Sequence, residues 1–228
     1  MSAVLLLRLA GPMQSWGTRS RFQERDTERE PSKSGVIGLL CAAIGRDRSL
    51  PVADLSALKM GVRADREGNL KKDFQTAQNV AVAGGGSLED MISNRHYLAD
   101  AEFLVSFEGD AGLLKYLHSA LMRPVWPLFL GRKSYVPSLP IYLPDGYREN
   151  VSLRESLMAY PLQVRQTHKT IRLLLESSTP THESRMDSPV SFEFGHREFR
   201  ERFVVTEFVP VETFSVKEDE DVPVSAHT

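Results

Sequence analysis

Val4 to Leu9 is a short, almost continuous apolar run, the pattern of a buried central strand. It ends at Gly11-Pro12, and Met13-Gln14-Ser15-Trp16-Gly17 reads as a loop. Residues 18–33 are polar, charged and aperiodic, which predicts a long exposed loop. Ser32 or Ser34 then offers an N-cap for a helix through Gly35-Val36-Ile37-Gly38-Leu39-Leu40-Cys41-Ala42-Ala43-Ile44, with Gly45 as its stop. That helix is apolar nearly all round and should lie buried against a sheet. Its two glycines leave room for another backbone, from protein or ligand, to come close. Lys59 to Ala64 predicts a second strand, and residues 65–100 a long insertion, functional or mobile, with Gly84-Gly85-Gly86 inside it. Phe103, Val105 and Phe107 alternate along a third strand. Asp110 caps a helix to about Met122, with Leu113, Leu114, Leu117 and Leu121 on one face, and Pro124 stops it. A strand near Tyr135 to Leu143 follows Leu128–Ser134.

The order strand, helix, strand, strand, helix, strand predicts an α+β fold, with a ferredoxin-like (RRM-like) β-α-β-β-α-β core. Beyond residue 144, a short helix around Leu153 to Tyr160 precedes strand patterns at 162–175, 189–194 and 199–210. These suggest a small antiparallel C-terminal addition. The expected organisation is a core over 1–143 with an insertion at about 66–100, a β-rich unit over 144–214, and an acidic tail over 215–228. Glu218-Asp219-Glu220-Asp221 make that tail a candidate for disorder.

Composition narrows the function classes. The 228 residues are 41% apolar, enough for a real core, and 25% charged, which is ordinary for a globular chain. One cysteine, Cys41, leaves no intrachain disulfide framework and no multi-cysteine zinc site. No apolar run approaches the ~18 residues that span a bilayer, so a cytoplasmic protein without membrane contact is the expectation. The net charge of −2 is unevenly distributed along the chain. Residues 1–110 carry a net −1, residues 111–175 a net +6, and residues 176–228 a net −7, counted from the sequence. A basic centre of this kind suits an anionic partner, and an acidic end suits some other surface.

The six histidines show no metal-ligand spacing, and no metal or other cofactor is expected. Gly131-Arg132-Lys133-Ser134 combines a glycine, whose backbone lets a phosphate approach, with two adjacent cations. Lys33-Ser34-Gly35 places a cation at a helix start, a ready anion site. Trp16, in a glycine- and proline-bounded loop ahead of Arg19, is either a stacking platform or a plug on the core. Arg165 and Lys169 add charge. RNA binding needs only such cations and planar side chains. A metal-free ribonuclease needs more, and His168 with Lys169, near Tyr160, is its candidate pair. On a strand, however, Lys169 shares a side with Arg165 while His168 shares the other with Arg172. Cys41, inside a buried helix, is a poor nucleophile.

Several of these stretches together resemble one family. Leu6-Leu7-Arg8-Leu9-Ala10-Gly11-Pro12-Met13-Gln14-Ser15-Trp16-Gly17 and Pro31-Ser32-Lys33-Ser34-Gly35-Val36-Ile37-Gly38-Leu39-Leu40 resemble the CasD subunits of type I-E CRISPR Cascade, the fifth Cas family of the RAMP superfamily. Asp73-Phe74-Gln75-Thr76, Arg95-His96-Tyr97-Leu98-Ala99-Asp100-Ala101 and Leu130-Gly131-Arg132-Lys133-Ser134 fall in the same order and spacing. The resemblance covers roughly residues 4–140. It implies a non-catalytic subunit gripping the 5′ handle of the CRISPR RNA, contacting the CasC backbone and the large subunit CasA, and meeting target DNA only through the complex. It implies that the insertion is a thumb carrying Phe74, Gln75, Arg95, His96 and Tyr97. It also keeps an alternative open, because type I-C relatives process repeat RNA without metal, using a Tyr, Lys and His set. The RNA-binding candidates are Trp16, Arg19, Lys33, Ser34, Arg132, Lys133, Arg165 and Lys169. A plain assembly adaptor is the third class.

Overall fold

The computed structural model describes residues 2–19, 24–81, 85–86, 88–164 and 168–215. Arg165, Gly84 and all but Ser215 of the acidic tail lie outside the described residues. The fold is mixed α+β. A seven-stranded antiparallel sheet runs β10-β11-β9-β4-β7-β1-β8, where β1 is Ser2–Ala10, β4 Lys59–Arg66, β7 Glu102–Asp110, β8 Tyr142–Glu149, β9 Thr170–Ser177, β10 Glu183–Ser191 and β11 Glu198–Pro210. β1 lies between β7 and the edge strand β8, and its apolar run is unbroken because both sheet faces are covered there. Leu5, Leu7 and Leu9 pack with helices α1 (Lys33–Ile44) and α3 (Ala111–Met122), the four-residue helix α2 (Ala53–Ser56) falling between them in the chain. Leu6 points the other way, into a second cluster with Leu157 of helix α4 (Leu153–Ala159).

The caps fall where the sequence puts them. Ser32 accepts from the Gly35 N–H, Gly45 ends α1 in the left-handed conformation, and Asp110 accepts from the Leu113 N–H. α4 opens on a capping box formed by Ser152 and Glu155. Its C-terminal carbonyls are collected by the buried Arg63 guanidinium, which donates to Leu157 and Tyr160 and pairs with Asp65 at 2.6 Å. This internal pairing satisfies both a buried charge and the orphan acceptors of a helix end.

Four expectations about elements are corrected. The strand predicted near Tyr135–Leu143 is the later β8, and residues 131–141 form a loop. Gly131 there has φ +93°, and Pro137 and Pro140 supply no N–H for a ladder. The stretch 18–33 contains a two-residue strand β3 (Glu24–Arg25), which escapes any periodicity argument. The first C-terminal strand begins at Thr170 rather than 162. The three C-terminal strands bond through β9 to β4, so they continue the main sheet.

The insertion is a long antiparallel hairpin, β5 (Asn69–Val80) with β6 (Glu89–Ala99). Both its faces meet solvent along the outer half, so its sequence has no reason to alternate in polarity. Its base is different. Pairing of β6 with β2 (Met13–Gln14) and with β3, together with buried Leu98, ties the hairpin to the body.

Candidate nucleic-acid interface

The site begins at the loop after β1, where three sequence-distant segments are stitched by short bonds. The buried Gln14 amide donates to the carbonyls of Leu9 and Ala101 and accepts the Trp16 indole N–H at 3.1 Å. Trp16 is therefore 1% exposed and sealed against α1, where a Cβ at Gly35 would lie 2.8 Å from its ring. It is the plug, not a stacking platform. Ser15 is a hub. Its hydroxyl donates to the carbonyls of Asp26 and His96, and its N–H donates to the Leu130 carbonyl.

That last bond brings the Gly131 turn onto Ser15 so closely that any Cβ at 131 would overlap the Ser15 carbonyl. The following Arg132 is half-buried and spends its guanidinium on the carbonyls of Arg25 and His96, at 3.1 and 3.0 Å, and on the Tyr135 hydroxyl at 2.8 Å. It also sits over the Tyr135 ring. The motifs around residues 14–16, 95–97 and 130–134 thus form one joint at the base of the β5–β6 hairpin. Lys133, by contrast, is exposed.

Beside this joint runs a groove of about 660 Å³. One side is α1 from Ser34 through Gly38 to Ala42, and the Gly131–Lys133 turn forms another. Arg25, Arg46, Arg48 and Arg197 bring further cations, and Trp126, Phe129, Phe192 and Phe199 bring aromatic rings. Six cations against Asp26 and Asp47 leave the lining clearly positive. Arg46 shares its charge with Asp54 through a bidentate pair at 2.5 and 2.7 Å, which holds that carboxyl below its ordinary range. Gly38 meets nothing within 4 Å of a notional Cβ, so the helix backbone is open to the groove there. Positive, aromatic and concave together suit an unpaired nucleic-acid strand.

The α1 start is not the anion site expected from Lys33-Ser34-Gly35. Lys33 is 1% exposed and its ammonium bonds both Glu176 oxygens, at 2.9 and 3.0 Å. Burial pushes its pKa down, against the pull of Glu176. Its backbone N–H donates at 2.7 Å to Asp187, so the chain's own carboxylate already fills the helix terminus. Arg202 completes the cluster, bonded to Asp187 at 2.6 Å. Lys33 is a structural cation.

Of the other candidates, Ser34 lines the groove, while Arg19 is exposed with its N–H on Asp26 and is not among the lining residues. His168 and Lys169 are exposed just before β9 and do not line the groove. Tyr160 is buried, its hydroxyl donating to Asp145, and its pKa is pushed up to about 12 by burial. Such a phenol is a poor proton acceptor near neutrality. The Cys41 thiol touches the groove, yet burial raises its pKa to about 11, leaving it unreactive. On the hairpin, Phe74 is 61% exposed, Gln75 bonds Asp73, Arg95 bonds Ser93, His96 lies 3.6 Å from Glu24, and Tyr97 packs near Tyr135. Among the described residues, no cluster of three or more His, Cys, Asp or Glu could hold a metal, and no helix is long and apolar enough to cross a membrane.

The charge map by segment does not survive folding. Arg172, the last cation of the basic centre, is bound by Glu67 and Glu30, and Arg154 by Glu207. Meanwhile Arg197 and Phe199 of the acidic end reach the groove. Sequence reasoning missed Arg25, Arg46, Arg48, Arg197, Phe192 and Phe199. A visible signal was Arg46-Asp47-Arg48, directly after the Gly45 helix stop.

Comparison with known proteins agrees with this architecture. The family model described as CRISPR-associated protein (Cas_Cas5) matches residues 4–205. CRISPR system Cascade subunit CasD of Escherichia coli (strain K12) is 33% identical over 159 residues, covering 63% of this chain and 71% of that protein. A solved structure described as a crystal structure of Cas protein shares 46% identity at TM-score 0.76, covering 93% of this chain and 98% of its own. A chain from a CRISPR RNA-guided surveillance complex shares 36% identity at TM-score 0.74, covering 95% of each.

Proposed function

The chain belongs to the CRISPR-associated Cas5 family, and from that premise we propose that it is the CasD-type structural subunit of a type I-E Cascade surveillance complex, gripping the 5′ handle of the CRISPR RNA in the groove between α1 and the Gly131 turn. The strongest support is the lining itself, cationic and aromatic beside a glycine-opened helix face. The relatives reinforce it, one being a Cascade subunit and one part of an RNA-guided surveillance complex. The strand order β4-β7-β1-β8, with α1 and α3 as crossovers, supports a ferredoxin-like core. The β5–β6 hairpin is then the thumb, fixed at its base by Arg132 and Ser15 and free along its outer half. In this reading the subunit caps the CasC backbone, touches CasA and meets target DNA through the assembled complex in the cytoplasm.

The mechanism is positioning rather than chemistry. Lys133, Arg48 and Arg25 neutralise backbone phosphates, while Ser34 and the open helix face at Gly38 admit the strand closely. Arg132 acts from behind, keeping the thumb and the glycine turn in one register.

Co-expression with the other Cascade subunits, followed by sequencing of the RNA recovered, tests the reading. It fails if handle RNA binds no better than an unrelated RNA of equal length at fixed salt. Lys133→Ala is expected to flatten the dependence of log affinity on log salt by about 0.7, the value for one phosphate contact on a single strand. EDTA-resistant cutting of repeat RNA by the purified chain, abolished by His168→Ala, would establish the ribonuclease alternative instead. Partner binding indifferent to removal of RNA would establish the adaptor.

A further inference from the structure

The turn after β10 carries Phe192, Phe194 and Arg197, and the start of β11 carries Phe199 and Arg200. Folding sorts these side chains by role. Phe192 is half-buried and packs on the main core, and Phe199 meets it edge to face with ring centroids 6.4 Å apart. Phe199 keeps 36% of its surface exposed, and it lines the groove together with Phe192 and Arg197. Phe194 is 88% exposed at the tip and is not part of the lining.

The position of this hairpin is fixed by buried bonds. Asp187 on β10 accepts from the first N–H of α1 and from Arg202 on β11, at 2.7 and 2.6 Å. The wall carrying Phe199 is therefore tied to the same helix that forms the groove's other side. A strand entering would find it already in place, with little ordering left to do.

We propose that the β10–β11 turn is the second wall of the nucleic-acid groove, with Phe199 as a stacking surface for an unpaired base and Arg197 as a phosphate contact. The ligand class is single-stranded RNA. The proposal rests on reading the groove as an RNA channel, and it extends the contact surface into the C-terminal strands. RNA is favoured over a protein partner because six cations line the groove against only two carboxylates, Asp26 and Asp47, a net positive concavity that suits a polyanion. A ring leaning on a core ring, beside a cation, matches the sequence-tolerant stacking steps of single-strand binding proteins.

The test is titration of handle-bearing CRISPR RNA with the full chain, and with the co-expressed complex, followed by fluorescence anisotropy across a salt series. Phe199→Ala is expected to weaken binding roughly 5- to 150-fold, the range for losing one base–aromatic stack. Phe199→Leu keeps an apolar contact on Phe192 and should weaken binding similarly with the melting temperature unchanged, whereas Phe199→Trp should restore affinity. Arg197→Gln should lower the salt slope by about 0.7. Phe194→Ala should leave affinity unchanged. Should Lys133→Ala weaken binding while Phe199→Leu and Arg197→Gln do not, the channel stands and this wall is overturned. Failure of the wild-type chain and complex to bind the RNA overturns the channel reading and the proposal with it. Loss of partner subunits from the complex, with RNA affinity and salt slope intact, would make the turn a protein-docking surface and also overturn the proposal.

Discussion

Replacing Glu176 by Ala should be among the most damaging single changes in this protein outside the apolar core. The Glu176 carboxylate receives both contacts of the Lys33 ammonium at 2.9 and 3.0 Å, accepts the Met60 N–H at 3.0 Å, and lies 3.7 Å from Arg202. With Lys33 at 1% exposure, removing the carboxylate leaves a buried cation and a buried amide without their partner. Breaking such a pair from one side costs about 3–5 kcal/mol, and the 14% exposure of the Glu176 side chain points to the lower end. A loss of about 3 kcal/mol corresponds to a fall in Tm of roughly 6–12 °C for a chain of this size. Lys33→Met is the informative counterpart. Burial holds the folded Lys33 pKa below its ordinary 10.5. The stabilisation belonging to its neutral form is therefore present above that value and lost as pH falls through the folded pKa. At neutral pH the charge is a burden on the fold, offset by Glu176 with help from Asp187 and opposed by Arg202. Methionine removes that burden and leaves Glu176 with Met60 and Arg202, so a loss of about 1 kcal/mol or less is expected. Urea unfolding of the full chain at neutral pH gives both numbers. The reasoning is refuted if Glu176→Ala costs under about 1 kcal/mol, or if Lys33→Met costs as much as Glu176→Ala.

Three further outcomes follow from particular atoms. Gly131→Ala pushes a Cβ into the Ser15 carbonyl at a backbone of φ +93°. It should destabilise by on the order of 2–3 kcal/mol, measured by thermal melting, and detach the turn from the base of the β5–β6 hairpin. Gly38→Ala meets empty space and should stabilise α1 by about 1 kcal/mol, while Gly38→Trp should fill the groove and reduce RNA affinity without lowering Tm. Glu102 is buried, with one oxygen unpartnered among the described residues, and burial and then Asp65 raise its pKa, against Arg66 and Arg8. A raised carboxyl stabilises below its unfolded pKa, and that contribution is lost as pH rises through the folded value. Glu102→Gln should accordingly raise Tm near pH 7 by roughly 2–4 °C, for about 1 kcal/mol, with the difference vanishing below the ordinary carboxylate range.

Much of this was legible in the chain. The Val4–Leu9 run, the Asp110 cap and the Gly45 stop are local, near-neighbour statements, and local rules located them, while narrowing the α1 cap to Ser32 or Ser34. The motif blocks around Gln14–Trp16, Arg95–Tyr97 and Gly131–Lys133 were also visible, and with them the family. Their purpose as one joint was not. A hydrogen bond from Arg132 to His96 spans 36 residues, and nothing in either segment announces the other. The β5–β6 hairpin hid because a ladder solvated on both faces needs no hydrophobic alternation.

The sharpest division concerns charge. Sequence by itself determined how many cations exist and where caps and turns must fall, because those depend on residue type and immediate neighbours. Only the tertiary structure decided which cations are spent inside the fold, as Lys33 and Arg172 are, and which gather at a groove, as Arg48, Lys133 and Arg197 do. Ion pairing acts through space over a few ångströms, and chain separation carries almost no information about it.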